Sequence, residues 1–208
     1  MVYVAAFADL HLGAAYSPGH QWVKDELQAR NPEVVVFGGD LFDRHTATAD
    51  HEKEGAELMR WITQTLQTPV VMIWGNHDVA KGFEFHTRFP HIDGVYRPAG
   101  FGVEELTVPG IPLVFHAANV KKKRDERLLI DDFPTATEPG HVGVFHTGLD
   151  GSYTNNNCLP ATEEGLREKN YATWILGHVH KPTVLSREPY IGWPGVGVME
   201  SLELAPRP

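Results

Sequence analysis

Five short polar signatures in this chain follow apolar runs of strand length. The runs are VYVAAFA, EVVVFG, PVVMIW, VGVF and TWIL, and their β-branched and aromatic residues favour strands. The signatures are Asp9-Leu10-His11, Gly38-Gly39-Asp40, Gly75-Asn76-His77-Asp78, Phe145-His146 and Gly177-His178-Val179-His180. A buried sheet that delivers Asp, Asn and His side chains from its strand ends to one edge would create a metal site.

Chain length and cysteine content bound the class of protein. The 208 residues are ample for one domain, and we expect a single domain over residues 1–208. Cys158 is the only cysteine, so no internal disulfide can form. The apolar stretch from Val2 to Ala8 is too short to span a membrane and leads straight into Asp9. We interpret it as the first strand of a cytoplasmic protein with no membrane partner.

The formal net charge of −9 disfavours nonspecific binding to nucleic acid. Two bound divalent cations would, however, bring four positive charges to the place where a phosphate docks. The local field at a cleft matters more than the total charge, so the acidic composition does not exclude a phosphodiester substrate.

The order of predicted elements indicates an α/β sandwich with a mixed sheet. Helices are predicted from Ser17-Pro18 to Asn31-Pro32, from Asp50 to Leu66, and from Ala161 with Thr162 near its start. The Pro109-Gly110 pair predicts a hairpin within 103–118. Late strands are predicted beyond His180, so strands alternate with helices early in the chain and then predominate.

The polar signatures have the chemistry of metal ligands. In an extended chain, Asp-x-His would place both side chains on one side, because the strand period is two. The same holds for His178 and His180. Aspartate oxygens, imidazole nitrogens and an asparagine carbonyl suit manganese, iron or zinc, whereas a lone magnesium site would use fewer histidines.

The set DLH, GGD, GNHD, FH and GHVH resembles the calcineurin-like metallophosphoesterases over Asp9 to His180. The segments FADLHLG, GDLFDR, YATWILGHVHKP and PYIGWPG are similar to the SbcD-type DNA-repair exonucleases. The resemblance implies a four-layer αββα sandwich of mixed sheets flanked by helices. It also implies two divalent metal ions, manganese first, with iron, zinc, nickel and magnesium as alternatives.

The resemblance assigns a role to each matching residue. The first metal would be held by Asp9, His11, Asp40 and His180. The second would share Asp40, which bridges, and would be completed by Asn76, His146 and His178. His77 would contact the phosphate and assist the leaving oxygen, and Asp78 would orient His77. A water shared by the two ions would attack phosphorus.

Several assignments stay open at the level of sequence. His116 and His146 both follow apolar runs, whereas His141 precedes its run and would lie at the wrong end of the strand. We prefer His146 as the ligand because HTGLDG resembles the corresponding nuclease segment. We interpret Asp43 and His45 as structural loop residues. The basic run Lys121–Arg124 is interpreted as a solvated face because acidic residues follow it, with contact to a nucleic-acid backbone as the alternative.

The function expected is a metal-dependent phosphodiesterase acting on DNA as an exonuclease or endonuclease. Alternatives are a phosphatase or cyclic-nucleotide phosphodiesterase of the same superfamily, and a non-catalytic scaffold. The related nucleases carry a capping region after the phosphoesterase domain, and we expect no C-terminal capping domain within residues 1–208. The resemblance further implies a partner ATPase or a homodimer.

Overall fold

The computed structural model describes residues 1–80, 84–154 and 156–207. Its strands are β1 (Val2–Phe7), β2 (Val34–Phe37), β3 (Val70–Met72), β4 (Val95–Tyr96), β5 (Val103–Thr107), β6 (Val114–Ala118), β7 (His141–His146), β8 (Thr173–Gly177), β9 (Thr183–Arg187), β10 (Tyr190–Trp193) and β11 (Glu200–Leu204). Its helices are α1 (Gly19–Arg30), α2 (Ala49–Arg60), α3 (Phe85–Arg88) and α4 (Glu163–Arg167), with a π-helical turn Trp61–Thr65 and a 3-10 turn Leu129–Asp132.

The strands form two mixed sheets. One sheet has the order β11-β1-β2-β3-β4, in which β1 to β4 are parallel and β11 is antiparallel to β1. The other has the order β5-β6-β7-β8-β10-β9, with β6, β7, β8 and β10 parallel and the two edge strands antiparallel. The central parallel strands are buried along their whole length, as sheets covered on both faces require.

The two sheets pack face to face through a core of small and β-branched residues. Val36, Val71 and Val144 are examples of side chains in this inter-sheet cluster. Alternate residues on the first sheet, such as Phe7 and Phe37, pack in a second cluster with residues of α1 and α2. The layered α/β sandwich expected from the sequence is therefore confirmed.

The outer face of the second sheet is covered mainly by loops and short helical turns. Phe133 packs edge-on against both Phe145 and Trp174, with ring centroids 5.1 and 5.0 Å apart. The Trp174 indole donates a hydrogen bond to the backbone carbonyl of Leu166 in α4. This outer layer thus depends on aromatic packing rather than on long helices.

The predicted local elements are present, with one change. The β5–β6 hairpin surrounds Pro109-Gly110, and the Thr162 hydroxyl caps α4 by accepting from the Gly165 amide at 3.0 Å. The helix predicted from Asp50 to Leu66 is α-helical only to Arg60 and then continues as the π-helical turn. No helix in the described part of the chain has both the length and the apolar character needed to cross a membrane.

The carboxyl ends of parallel strands from both sheets meet at one edge of the sandwich. His178 lies just after β8, and Asp9 lies just after β1. The His178 amide donates to Asp9 Oδ1 at 3.0 Å. The amide of Val120, after β6, donates to the carbonyl of Trp74, after β3. Segments that follow four different strands are therefore in contact along this edge.

Candidate metal centre

The predicted ligands lie at this shared edge, and most of them are buried. Asp9 and His11 follow β1, Asp40 follows β2, Asn76 follows β3, His146 ends β7, and His178 and His180 follow β8. All of these side chains are buried except that of His180, which is exposed. Burying acidic and imidazole groups together is costly unless they bind one another or a cation.

The backbone at the site differs from the extended geometry expected from the strand period. Asp9, His11, Asp40 and His178 have φ angles of 56°, 49°, 58° and 96°, which non-glycine residues adopt at an energetic cost. The expectation that an extended chain places Asp9 with His11, and His178 with His180, on one side is therefore wrong in its geometry. Left-handed turns just beyond the strand ends aim these side chains at a common point.

One cluster is built from Asp9, His11 and His180. The Nε2 atoms of His11 and His180 are 2.9 Å apart, and Asp9 Oδ1 lies 4.0 Å from His11 Nε2. One potential ligand atom from each residue lies within 4.8 Å of the others. Two imidazole nitrogens at this separation attract each other only through a shared proton or cation.

A second cluster surrounds Asn76. Its Oδ1 atom is 2.7 Å from His178 Nδ1 and 3.0 Å from His146 Nε2. Oxygen and unprotonated imidazole nitrogens are all acceptors, so a cation among them satisfies the three atoms at once. Amide oxygen and imidazole nitrogen are ordinary ligands of intermediate divalent metals.

The Asp40 carboxylate lies between the two clusters. Its Oδ2 atom is 3.3 Å from His146 Nε2 and 3.8 Å from His11 Nε2. Its Oδ1 atom accepts from the His77 amide at 2.8 Å, which fixes the carboxylate in place. Asp40 belongs to two candidate ligand groups, one with His11 and His77 and the other with Asp9 and His146.

Backbone carbonyls set the orientation of two of the histidines. His146 Nδ1 is 2.8 Å from the carbonyl oxygen of Gly38, and His178 Nε2 is 2.6 Å from that of Asn156. Each contact requires a proton on that nitrogen, which leaves the other ring nitrogen free to face Asn76. Such partners of ligating histidines raise metal affinity by fixing the tautomer.

Glycines allow the two sheets to approach closely enough to form the site. A Cβ atom on Gly177 would lie 2.0 Å from the Gly38 carbonyl oxygen and 2.5 Å from His146 Nδ1. A Cβ atom on Gly75 would lie 2.2 Å from Asp40 Oδ1. The glycines of the GHVH and GNHD signatures are thus needed for steric reasons at the site itself.

The pKa values reflect burial and mutual charge. Burial raises the pKa of Asp9 to about 7 and lowers that of His11 to about 3 and that of His178 to about 4. Burial opposes charge on His146, but Asp40 and Asp9 raise its pKa to about 9. In turn, His146 holds the pKa of Asp40 well below its usual range in spite of burial. A proton on His146 thus balances Asp40, and a bound cation would displace it.

The alternative ligand His116 lies elsewhere. Its Nε2 atom is 2.8 Å from His141 Nδ1, and the two rings are stacked with an interplanar angle of 5°. Tyr171 stacks on the same His116 ring at 5.0 Å. The structure therefore brings His146, and not His116 or His141, together with Asp40 and Asn76.

Asp78 has a different role from the one expected. Its carboxylate accepts hydrogen bonds from the amides of Asp40, Phe42 and Gly75 at 2.9, 3.0 and 2.9 Å, and from that of Leu41 at 3.3 Å. These bonds tie the loop after β2 to the loop after β3. Asp78 therefore holds the turn that carries Asp40 and is engaged by backbone amides rather than by the His77 ring.

Asp43 occupies the position that was expected of Asp78. Its Oδ2 atom lies 3.2 Å from His77 Nδ1 and 3.9 Å from His11 Nδ1, and its Oδ1 atom accepts from His45 and Thr46. Sequence reasoning treated Asp43 as a loop residue. The second carboxylate in GDLFDR was the signal that could have identified it.

Tyr16 is a further residue at the site that sequence reasoning missed. Its ring lies 5.5 Å from that of His11 and 5.7 Å from that of His180. Its hydroxyl is 3.5 Å from Asp43 Oδ2, and burial together with Asp43 raises the pKa of Tyr16 to about 12. The side chain is nevertheless 51% exposed, so it lies at the mouth of the site.

Comparison with known proteins identifies the family. The family model of the calcineurin-like phosphoesterases matches residues 2–182. The chain is a calcineurin-like phosphoesterase. The family resemblance expected from the sequence is therefore confirmed. The chain belongs to a family of metal-dependent phosphoester hydrolases.

Two curated relatives are similar to this calcineurin-like phosphoesterase. The uncharacterized metallophosphoesterase YhaO of Bacillus subtilis is 26% identical over 182 residues, which cover 82% of this chain and 42% of the relative. A subunit of the nuclease SbcCD of Staphylococcus epidermidis is 24% identical over 213 residues, covering 84% of this chain and 56% of that subunit. The chain thus spans about half the length of these curated relatives.

A solved structure supports the fold. A dimetal phosphatase from Danio rerio superposes with a TM-score of 0.58 at 10% identity, covering 95% of this calcineurin-like phosphoesterase and 88% of the phosphatase. The likeness shows that the two proteins share a fold.

Proposed function

We propose that this chain is a dinuclear metal-dependent phosphodiesterase that cleaves DNA as an exonuclease or endonuclease. The observation that carries the proposal is the position of Asp40, whose Oδ2 atom lies 3.3 Å from His146 and 3.8 Å from His11. One carboxylate between two clusters of acceptors suits two cations, because its charge offsets their mutual repulsion. When bound, two such cations neutralise phosphate charge and lower the pKa of a bound water.

Each metal would have its own group of ligands. Asp9, His11 and His180 would hold one ion, and Asn76, His146 and His178 the other, with Asp40 shared. Manganese is the ion we propose first, because this mixture of carboxylate, amide and imidazole ligands suits intermediate divalent metals. Iron, zinc, nickel and magnesium are the alternatives for the metal-loading experiments.

His77 would act on the substrate rather than on the metals. It lies in a cavity of about 390 Å³ that is also lined by Asp40, Asn76 and His180. Its Nδ1 atom is 3.3 Å from the Arg44 amide and 3.2 Å from Asp43 Oδ2. The neutral ring can therefore accept from Arg44 and the protonated ring can donate to Asp43. In either state the opposite nitrogen is left for a phosphate oxygen or a leaving oxygen.

The Staphylococcus relative is the reason to place DNA first among substrates. That protein is named as a subunit of a nuclease, and the FADLHLG, GDLFDR and GHVHKP segments of this chain resemble the same group. The name also indicates assembly with another polypeptide. We therefore propose a protein partner, an ATPase subunit or a second copy, for this phosphoesterase domain.

A phosphatase acting on small phosphoesters is the second candidate. The formal net charge of −9 favours it, because an acidic protein repels a polyanion outside its metal centre. The chemistry at the two metals would be the same. The two functions would differ only in the part of the substrate that is attached to the phosphate and extends beyond the cavity.

A substrate panel separates the two functions. The purified chain, loaded with manganese, is incubated with single-stranded DNA, duplex DNA, cyclic nucleotides and phosphomonoesters. Shortening or nicking of DNA supports the proposal. Hydrolysis of monoesters or cyclic nucleotides while DNA stays intact would replace the nuclease function with the phosphatase or cyclic-nucleotide function.

A further inference from the structure

We propose that the basic run Lys121–Arg124 holds the backbone of a single-stranded nucleic acid whose cleaved phosphate lies at the metal centre. This inference rests on the proposed phosphodiesterase function and specifies its substrate. The run begins just after β6 and Asn119, at the same sheet edge as the proposed ligands. All four side chains are exposed.

The acidic residue that follows the run does not neutralise it. The Asp125 side chain is fully buried and accepts hydrogen bonds from the Lys121 amide at 2.7 Å and from Arg127 Nε at 2.8 Å. Arg127 also forms a salt bridge with the same carboxylate. Within the described residues, no salt bridge involves Lys121, Lys122, Lys123 or Arg124. Asp125 thus shapes the loop and leaves the four cations free.

Hydrogen bonds hold this loop in a defined position relative to the metal centre. The Asp125 carbonyl accepts from the Leu159 amide at 2.6 Å. The Leu159 carbonyl in turn accepts from the Thr147 hydroxyl at 2.7 Å, next to His146. Within residues 156–159, the Asn156 carbonyl also contacts His178 Nε2 at 2.6 Å. The basic run and two proposed metal ligands therefore share one supporting segment.

Open clefts connect the run with the metal centre. Thr154 and Asn156 line both the cavity that contains His77 and an adjoining cleft of about 370 Å³. Arg124 lines that adjoining cleft and also a further cleft of about 510 Å³ that is lined by the three lysines of the run. In the adjoining cleft Glu126 offsets Arg124. In the further cleft Glu84 is the one carboxylate facing four cations, so cations predominate around the run itself.

An exposed aromatic ring on this path favours a single strand over a duplex. Tyr153 lines the metal-centre cavity, is 40% exposed, and packs against the buried Trp193 with ring centroids 4.8 Å apart. Tyr16, whose ring lies beside those of His11 and His180, is also exposed. A cationic groove beside aromatic rings is the general arrangement for single-strand binding, because unpaired bases stack on the rings.

The salt dependence of binding tests the run directly. Fluorescence anisotropy is measured with a labelled oligothymidylate and the manganese-loaded protein over a series of salt concentrations. A His77→Ala background and a gel check ensure that the oligonucleotide stays intact. The run variant carries Lys122→Gln, Lys123→Gln and Arg124→Gln. The control variant removes the same number of positive charges from exposed positions on α2 and β9. It carries Lys53→Gln, Arg60→Gln and Arg187→Gln.

We expect the slope of log affinity against log salt to be less negative by about 2 in the run variant, since each phosphate contact on a single strand contributes roughly −0.7. The control should keep the parental slope. Equal slopes for the two variants, or absence of any binding by the parental protein, would overturn the inference. Stronger binding of a blunt duplex than of the single strand would overturn the assignment to single strands.

Tyr153 gives an independent test of the path. Tyr153→Ala should weaken oligothymidylate binding about tenfold, as loss of one base-stacking platform does, while Tyr153→Phe should bind as the parent does. The substrate panel, run with the wild-type protein, distinguishes failure of the proposed function from failure of this inference. Run-dependent binding without DNA cleavage would refute the nuclease function and leave the run as a binding site for the strand only. Cleavage without run dependence would refute only this inference.

Discussion

Gly177→Ala is expected to damage both the stability of the chain and the second metal cluster. The added methyl group would lie 2.0 Å from the Gly38 carbonyl oxygen and 2.5 Å from His146 Nδ1. These two atoms are themselves hydrogen bonded at 2.8 Å. The methyl group would therefore push apart the two sheets and break the contact that orients His146.

The cost follows from two separate effects. Overpacking a tight interior costs about 1–3 kcal/mol, and leaving a buried hydrogen-bonding group without its partner costs about 1–3 kcal/mol more. The sum of about 2–6 kcal/mol is a large part of the total of roughly 5–15 kcal/mol that stabilises a typical domain. At about 2–4 °C per kcal/mol for a chain of this size, Tm should fall by at least about 4 °C.

Thermal unfolding and manganese titration check this prediction together. Loss of the carbonyl partner should weaken metal binding about 10–100-fold as well. Gly102→Ala is the matched control, because no atom lies within 4 Å of a Cβ there and its φ needs no glycine. If Gly177→Ala and Gly102→Ala have the same Tm and the same manganese affinity, the close approach of the sheets does not create the site.

Three further predictions concern the metals and His77. His146→Ala should bind one metal ion fewer than wild type by elemental analysis while His116→Ala binds as many; the opposite pattern would make His116 the ligand. His77→Ala should retain its metals and lose about 10²–10⁴-fold in turnover; loss of metal would instead make His77 a ligand. Removing manganese with a chelator should lower Tm, since manganese at about 100 times its Kd stabilises the folded protein by about 2.7 kcal/mol. An unchanged Tm in scanning calorimetry would argue against a metal bound in the folded core.

The strands and the sheet edge were predictable because the relevant signal is local. Runs such as EVVVFG and TWIL can be buried on both faces only in a sheet, and polar residues at their downstream ends must then collect at one edge. The position of each histidine relative to its run also separated His146 from His141. These inferences use only the order of apolar and polar residues.

The finer geometry could not be predicted because it depends on contacts between distant segments. The strand period suggested the wrong reason for the convergence of Asp9 and His11, which lie in left-handed turns beyond β1. The exchange of expected roles between Asp78 and Asp43 arises from backbone amides of a different loop. Nothing in the sequence shows that Asp125 faces inward and leaves Lys121–Arg124 unpaired.

The most direct test of the dinuclear centre is anomalous diffraction from crystals of the manganese-loaded protein. We expect two peaks roughly 3.5–4 Å apart, one among Asp9, His11 and His180 and the other among Asn76, His146 and His178. The Asp40 carboxylate should contact both. A single peak, or two peaks with Asp40 bound to only one of them, would contradict a dinuclear centre bridged by Asp40.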